Sequence, residues 1–489
     1  MGMDLRGKKV TVVGLARSGV GAANLLAGLG AEVTVTDRQS EAELAGALKR
    51  LAPSVRRVLG DHPDSIFMSA EMIVVSPGVP LTMKQIISAK AAGIPVIGEL
   101  ELAYQIIEGA KGTPFLGVTG SNGKSTTTTL LELMLRKGGF KTLLGGNIGS
   151  ALTEEILKTI LKAVNSKVLE MRDKEEHISA PAFHFLQDFV VVEVSSFQLD
   201  SIDRFRPHIA VILNITPDHL DRYHSLSEYG SAKVRIFENQ TEGDFLVLNA
   251  DDPETAKIGD EGEGVGAGGP EVFYFSRRKK VKGMYYRDGR IYCNIPHLSC
   301  LDDQPFIEAE EIKIKGVHNL ENAMAASAMA LLAGCPKRAV IESMREFAGL
   351  EHRLEFVREL DGVRYINDSK GTNVGAVMKS IESFDGPVVL IAGGRDKAGD
   401  FSALKGLVSR KVKALVLIGE AAGKIREALG DATDTVMAPD LRTAVARCRE
   451  KAAKGDVVLL SPACASFDTF RDFEDRGRQF KKIVAELAA

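Results

Sequence analysis

No run of about 18 uninterrupted apolar residues occurs anywhere in this chain, so a membrane-spanning helix is not expected. Nor does one sign of charge dominate: 62 Lys and Arg face 65 Asp and Glu, for a formal net charge of −3. Without a basic excess to drive counterion release, nucleic-acid and membrane-surface binding are not expected either. The five cysteines, Cys293, Cys300, Cys335, Cys448 and Cys464, are scattered with no CxxC pair, which points to a reducing compartment and away from a zinc site. Internal repeats and long low-complexity tracts are missing too. The opening residues, MGMDLRGKKVTVVG, enter a strand pattern at once and carry no signal-peptide core. These absences leave a cytoplasmic globular protein.

What is present is a chain of 489 residues with 45% apolar content, long enough for several compact units. Short apolar runs recur at 9–15, 71–77, 115–119, 189–194, 208–214, 245–249, 363–367, 388–392, 414–419 and 457–461. Their hydrophobicity is continuous rather than alternating, as in strands buried on both faces, and helical patterns separate most of them. Parallel sheets with crossover helices follow. The runs fall into three clusters, which predicts an α/β protein of three domains, 1–110, 111–349 and 350–489, each built on a mainly parallel sheet flanked by helices. Between 260 and 283 the composition turns to Gly, acidic and then basic residues, which reads as a solvated loop or hairpin.

The strongest chemical signal is PFLGVTGSNGKSTTTTLLELML. A buried strand runs into the loop Gly120-Ser121-Asn122-Gly123-Lys124-Ser125-Thr126, and an amphipathic helix follows. Glycines let backbone N–H groups approach phosphate oxygens, and the helix N-terminus adds its positive dipole end. Lys124 is placed against the β- and γ-phosphates of a nucleotide, and the Ser125 hydroxyl on Mg²⁺. The strict pattern GxxxxGK[ST] is missed by one residue, since Val118 stands where its first glycine belongs.

Downstream, Glu193 ends the apolar run FVVVE. It reads either as a salt-bridged strand end or as an acid reaching Mg²⁺ at the carboxyl edge of a parallel sheet. The next run ends in Asp218, His219 and Asp221, where His219 reads equally as a structural histidine or a metal ligand. Lys233, on a helical pattern, reads by itself as an exposed charge. Near the N-terminus, Lys9–Val13 leads into Gly14-Leu15-Ala16-Arg17-Ser18-Gly19, and Asp37 ends the second strand. That approaches a dinucleotide fingerprint, but Ala16 breaks GxGxxG, which weakens an NAD-dependent or regulatory reading.

Taken in order, TGSNGKST, EVSSFQLD, NITPDHLDRY, a helical AK, GVHNLENAMAA, GLEHRLEFV and INDSKGTN resemble the Mur ligases of peptidoglycan synthesis, a group that includes folylpolyglutamate synthase as a relative. The resemblance covers nearly the whole chain. It implies a Rossmann-like N-domain, a P-loop central domain and a Rossmann-like C-domain that binds an incoming amino acid. Within the group, GLARSG, SSFQL and SPACASFDTFRDFEDRG look like the branch that joins D-glutamate to UDP-N-acetylmuramoyl-L-alanine through an acyl phosphate. A sibling ligase or a folate polyglutamylase taking another amino acid is the alternative.

The resemblance implies a role for each matching residue. Lys124 and Ser125 hold ATP phosphates and a first Mg²⁺ that Glu193 shares, while His219 and Lys233 serve a second Mg²⁺, with Lys233 as a CO₂-derived carbamate. Asn147 contacts the transferring phosphoryl or the substrate carboxylate. Asn322 lies on the adenine side, Arg353 on the phosphates, Asp368 on the ribose and Lys370 near the phosphate end. Arg17, Ser18, Gly19, Asp37, Ser76 and Gly78, with Pro77 beside them, hold the UDP moiety. Thr372, Lys397, Ser466 and Phe473 select D-glutamate. His352 is a candidate base for the incoming amine. Two departures stand out: Arg38-Gln39 replaces the family's Thr-Arg after Asp37, and 158–179 is a longer connection that reads as one or two extra surface helices. A monomer acting on small molecules, with no nucleic acid or membrane partner, is expected.

Overall fold

The computed structural model describes residues 3–172, 187–219, 222–260, 268–296, 304–397 and 399–488. Among these residues the strands form three sheets that follow one another along the chain. The first contains β1 (Lys9–Val13), β2 (Glu32–Asp37), β3 (Arg56–Leu59), β4 (Met72–Val75) and β5 (Val96–Gly98) in the order β3-β2-β1-β4-β5, parallel throughout.

The second contains β6 (Phe115–Thr119), β7 (Thr142–Gly146), β8 (Phe189–Glu193), β9 (Ile209–Ile212), β10 (Phe245–Asn249), β11 (Glu271–Ser276), β12 (Gly283–Arg287), β13 (Arg290–Asn294) and β14 (Ile307–Glu308). Its order is β14-β13-β12-β11-β10-β9-β6-β8-β7. Pairing is parallel from β7 to β12 and antiparallel from β12 to β14. The third contains β15 (Glu355–Leu360), β16 (Val363–Asn367), β17 (Val388–Gly393), β18 (Val412–Ile418), β19 (Asp434–Met437) and β20 (Val457–Leu460). Its order is β15-β16-β20-β17-β18-β19, and β15 alone runs antiparallel. The α/β class, with mainly parallel sheets flanked by helices, is as the sequence predicts.

Each of the ten apolar runs is a strand, because Val, Ile and Leu on both faces of such a segment can be buried only between two helical layers. In the second sheet one layer packs Leu130, Met134, Met324 and Ala328 against Val118 and Val211, all fully buried. The other face packs Tyr104, Phe115 and Phe205 edge to face, with ring centroids 5.3–5.8 Å apart.

Two local readings are corrected. The stretch after Asp260 is not all loop: β11 pairs in parallel with β10 and fully buries Phe273 and Phe275. Its short apolar core is hidden in sequence by the Gly-rich and basic residues flanking it; the expected solvated loop also covers 261–267, which lie outside the described residues. Of the longer connection at 158–179, residues 158–172 continue one helix, Leu152–Arg172, rather than forming a separate surface helix. Residues 173–179 lie outside the described residues.

Helix Arg17–Gly28 of the first unit packs on this same helix, through a seam in which any Cβ at Gly21 would meet Thr153 and Ala151. Helix Glu99–Lys111 ties the first two sheets together. Leu100, Ala103 and Ile107 join the core of the second, Leu102 that of the first. The Glu101 carboxylate accepts the N–H groups of Asp203, Arg204 and Phe205 at 2.9–3.0 Å. No helix among the described residues is long and apolar enough to cross a membrane.

Candidate active site

The second and third sheets turn their carboxyl edges toward one cleft of about 1260 Å³. Parallel α/β sheets bind ligands at that edge, where neighbouring strands leave in opposite directions. In the second sheet this point lies beside β6, which sits between β9 and β8. The phosphate loop leaves β6 and begins helix Lys124–Lys137 after Gly123, whose φ is +88°. Only glycine fits there, since a Cβ would run into the Asn322 side-chain oxygen as well. Asn322, buried on helix Val317–Leu332, therefore braces the loop.

Lys124 Nζ donates to the Gly120 and Ser121 carbonyls at 2.7 and 2.9 Å. Burial pulls its pKa below the usual lysine range, with Glu193 and Asp218 pulling the other way. Glu193 ends β8, one strand over. Its Oε1 accepts from Asn147 Nδ2 at 2.7 Å, while its buried Oε2 has no hydrogen-bond partner. Burial alone would raise Glu193, but Lys124, then the neighbouring Ser125 and Asn147 side chains and Arg353, hold it below the ordinary carboxylate range. Glu193 thus sits near the positive charges of Lys124 and Arg353, with one buried oxygen atom lacking a hydrogen-bond partner.

Lys233 is not the exposed charge its local sequence suggests. It is 1% exposed, its Nζ donating to the Gly120 carbonyl at 3.0 Å and lying 4.3 Å from the Tyr229 ring centroid. Helix Leu226–Val234 turns this face inward toward the phosphate loop. Burial, and then the like charge of Lys124, pull its pKa well below the usual value. His219 lines the same cleft with φ +55°, its ring 6.4 Å from Tyr229 and edge-on to Phe197 at 4.8 Å. Asp221 lies outside the described residues.

The third sheet supplies the opposite wall. Arg353 reaches across to donate to Ser125 Oγ at 3.0 Å. Asp368 follows β16 and is buried. Its Oδ2 accepts from the hydroxyls of Ser380 and Ser461 at 2.6 Å each, and its Oδ1 from the Leu354 N–H at 3.3 Å. Burial pushes its pKa up to about 6. Lys370 lies 3.7 Å from the Phe473 ring centroid, pulled down to about 8 by burial and then by Arg353. Thr372, Lys397, Ser466 and Phe473, distant in sequence, all line the cleft.

Lys397 Nζ bonds Asp218 Oδ1 at 2.9 Å, and Asn373 Nδ2 bonds Asp218 Oδ2 at 2.9 Å. Asn373 also reaches the Asn122 side chain of the phosphate loop at 3.3 Å. Asp218 and Asn373 are among the cleft residues to which sequence reasoning gave no role. The available signal was the position of Asn373 just before an apolar-periodic segment, where its side chain caps helix Val374–Glu382.

His352 does not face the cleft. It is 3% exposed, with Nδ1 2.8 Å from Asn367 Nδ2 and the ring packed on Gly477 and edge-on to Phe473. A base for an incoming amine has to reach it, so His352 is set aside.

A separate pocket of about 540 Å³ opens at the carboxyl edge of the first sheet, lined by Arg17, Ser18, Asp37, Arg38, Gln39, Ser76, Pro77 and Gly78 and completed by Gly146, Asn147 and Gln198 of the second unit. Gly19 lies buried beneath it, where a Cβ would strike the Gly14 carbonyl. Asp37 holds the turn, accepting the Leu15 N–H at 2.7 Å and the Gln39 N–H at 3.0 Å. Arg17 donates to the Gly149 carbonyl across the junction. Asn147 lines both pockets and so stands at their meeting point.

Three segments match Mur ligase families: the MurD-like N-terminal domain at residues 8–98, the Mur ligase middle domain at 118–330 and the glutamate ligase domain at 352–464. The chain is 45% identical over 487 residues to a UDP-N-acetylmuramoylalanine–D-glutamate ligase of Geotalea uraniireducens, covering 99% of both chains. It is 42% identical over 493 residues to one of Koribacter versatilis, again covering 99% of each. Among solved structures it resembles a UDP-N-acetylmuramate-alanine ligase from Thermotoga maritima, with a TM-score of 0.58 at 18% identity over 98% of this chain and 99% of that one. It also resembles a pseudomurein peptide ligase from Methanothermus fervidus, with a TM-score of 0.57 at 18% identity over 99% of this chain and 100% of that one. The structural likenesses bear on the fold.

Proposed function

The chain belongs to the Mur ligase family, and we propose that it joins D-glutamate to UDP-N-acetylmuramoyl-L-alanine with ATP, as a step of peptidoglycan synthesis. A carboxylate is a poor electrophile. Transfer of the γ-phosphoryl group to the terminal carboxylate gives an acyl phosphate. The D-glutamate amine then attacks that carbonyl carbon, and the tetrahedral adduct collapses with loss of phosphate, leaving an amide and ADP. No protein nucleophile is needed. The residues have to orient three substrates, neutralise charge and exclude water.

The observation that supports this best is the Arg353–Ser125 contact, which joins the phosphate loop of one sheet to the loops of another across a single cleft. In this reading the loop 120–126 and Lys124 cradle the ATP phosphates, with Arg353 against them and Asn322, Asp368 and Lys370 toward the nucleoside and phosphate ends. Asn147, at the junction of the two pockets, meets the carboxylate that is phosphorylated. Arg17, Ser18, Gly19, Asp37, Ser76 and Gly78 hold the UDP moiety, and Thr372, Lys397, Ser466 and Phe473 the incoming amino acid.

Mg²⁺ suits the residues present. Glu193 Oε2 is a buried carboxylate oxygen without a partner, beside the Ser125 hydroxyl, and Mg²⁺ commonly uses one carboxylate plus phosphate oxygens. When bound, the ion would neutralise charge on the phosphates. His219 and Lys233 are the residues for a second ion. Lys233 suits carbamylation because burial favours its neutral amine, the form that attacks CO₂. The resulting carbamate would replace a positive charge with a negative one near Lys124 and so could support a second ion.

The test is an amino-acid screen for phosphate release from ATP in the presence of UDP-N-acetylmuramoyl-L-alanine. Release with D-glutamate alone is expected. Turnover with L-glutamate but not the D-isomer would refute the assignment, in favour of a folate-type or sibling ligase.

A further inference from the structure

Among the described residues Arg476 is the largest fully buried side chain, at 0% exposure. It lies on helix Phe473–Ala485 and, among the described residues, forms no ion pair with a carboxylate. Its guanidinium instead ties down two loops. Nε donates to Ser369 Oγ at 3.0 Å and Nη2 to the Ser369 carbonyl at 2.8 Å. Both Nη atoms also approach the Cys464 carbonyl, at 3.3–3.4 Å, and Nη1 the Ala465 carbonyl at 3.4 Å.

Those loops leave neighbouring strands of the third sheet. Ser369 follows β16 and precedes Thr372, while Cys464 and Ala465 follow β20 and precede Ser466. The β20 loop passes the restraint on to the β17 loop, because Ala465 and Arg395 exchange both backbone hydrogen bonds at 2.9 Å, two residues before Lys397. Gly394 makes this packing possible, since a Cβ there would strike the Ala465 carbonyl and lie 3.2 Å from Nη1. Phe473 stands on the same helix as Arg476, less than one turn away, and its carbonyl accepts the Ser369 hydroxyl at 2.8 Å. The four residues assigned to the amino acid thus come from four segments, and Arg476 or its direct partners touch each segment.

We propose that Arg476 is a positioning residue for the incoming amino acid, holding the loops after β16, β20 and β17 in the register that brings Thr372, Ser466 and Lys397 onto one substrate. This rests on the amino-acid assignment above. The physical case is that a buried cation with only carbonyl and hydroxyl partners is a costly way to fill space, where Met or Leu would pack at less expense. What it offers is a rigid planar fork that constrains several carbonyls at once, which neither an aliphatic residue nor a lysine provides. The nucleotide side has further anchors of its own, although Asp368 and Lys370 flank Ser369 in the same loop. Asp368 is held by Ser380, Ser461 and the Leu354 N–H, and the phosphate loop belongs to another sheet.

The test compares Arg476→Lys and Arg476→Ala with the wild type, measuring KM for the amino acid, for ATP and for the UDP-linked substrate separately. Arg476→Lys should raise the amino-acid KM by about tenfold or more and the other two by no more than about twofold. Free guanidinium at low millimolar concentration should lower the amino-acid KM of Arg476→Ala, since it can refill the vacated fork, and should leave Arg476→Lys unchanged. The comparison uses whichever amino acid the wild type consumes, so an error about D-glutamate appears in the wild type and an error about Arg476 in the variants. If Arg476→Ala does not fold, Arg476→Lys decides alone. An equal rise in all three KM values, or an unchanged amino-acid KM in a folded variant, overturns the proposal.

Discussion

Replacing Asp218 by asparagine should loosen the third unit from the second, for a reason visible in the hydrogen-bond directions. The carboxylate serves two donors across the junction, Lys397 Nζ and Asn373 Nδ2, each at 2.9 Å. Asn373 cannot turn its amide to help, because its Oδ1 already accepts the Ala376 N–H at 2.8 Å. An asparagine at 218 therefore sets its own NH₂ against either the Asn373 NH₂ or the Lys397 ammonium. One bond to a charged group contributes about 1.5–3 kcal/mol. With Lys397 still 20% exposed, solvent recovers part of that. A net loss of about 2 kcal/mol corresponds to roughly a 30-fold shift toward separated units. The Arg353–Ser125 contact remains as a second tie, so opening should be partial. Small-angle scattering of the ligand-free protein should show a larger radius of gyration for Asp218→Asn. Acid should act on the wild type in the same direction. Burial would raise Asp218, but Lys397, His219 and the two hydrogen bonds outweigh it and lower its pKa, so its contribution is present above the unfolded value and lost as pH falls through the lowered one. Superimposable scattering curves for variant and wild type would refute the reasoning.

The carbamate reading predicts that Lys233→Ala loses turnover and regains part of it with formate or acetate, whose carboxylate can occupy the vacated space. Absence of rescue across a concentration series would count against it. Asp368 carries a pH signature of the opposite sign to Asp218. Its pKa, raised from 3.8 to about 6, favours folding below the lower value and costs up to about 3 kcal/mol once pH passes the upper one. Asp368→Asn keeps an oxygen for the seryl hydroxyls, so it should melt above wild type at pH 8 and close to it at pH 4. The same melting difference at both pH values would contradict this.

Much of the chemistry is local and therefore readable in one dimension. A strand, a glycine loop and Lys124-Ser125 are contiguous, and the apolar runs declare parallel strands because only doubly covered strands dispense with alternation. β11 escaped because its core is short and its neighbours are charged or glycine-rich. Lys233 is hidden from local reading for a related reason, since a lysine on a helix looks solvated until the helix's partner is known, and only the family resemblance points to it. His352 illustrates the converse: it lies between two cleft residues, Glu351 and Arg353, yet φ +64° turns it into the third sheet.

The sequence by itself determined the continuously apolar strands, the phosphate loop and the residue types the reaction requires, because those depend on neighbours a few positions apart. The tertiary structure alone decided the strand order. By inserting β20 between β16 and β17 it brought Thr372, Ser466 and Lys397, separated by up to 94 positions, to one sheet edge. It also laid that edge against the phosphate loop through Arg353, Asn373 and Asp218, and it left Glu193 with one unpartnered oxygen. Those outcomes depend on which buried faces find one another, and no short window of sequence carries that information.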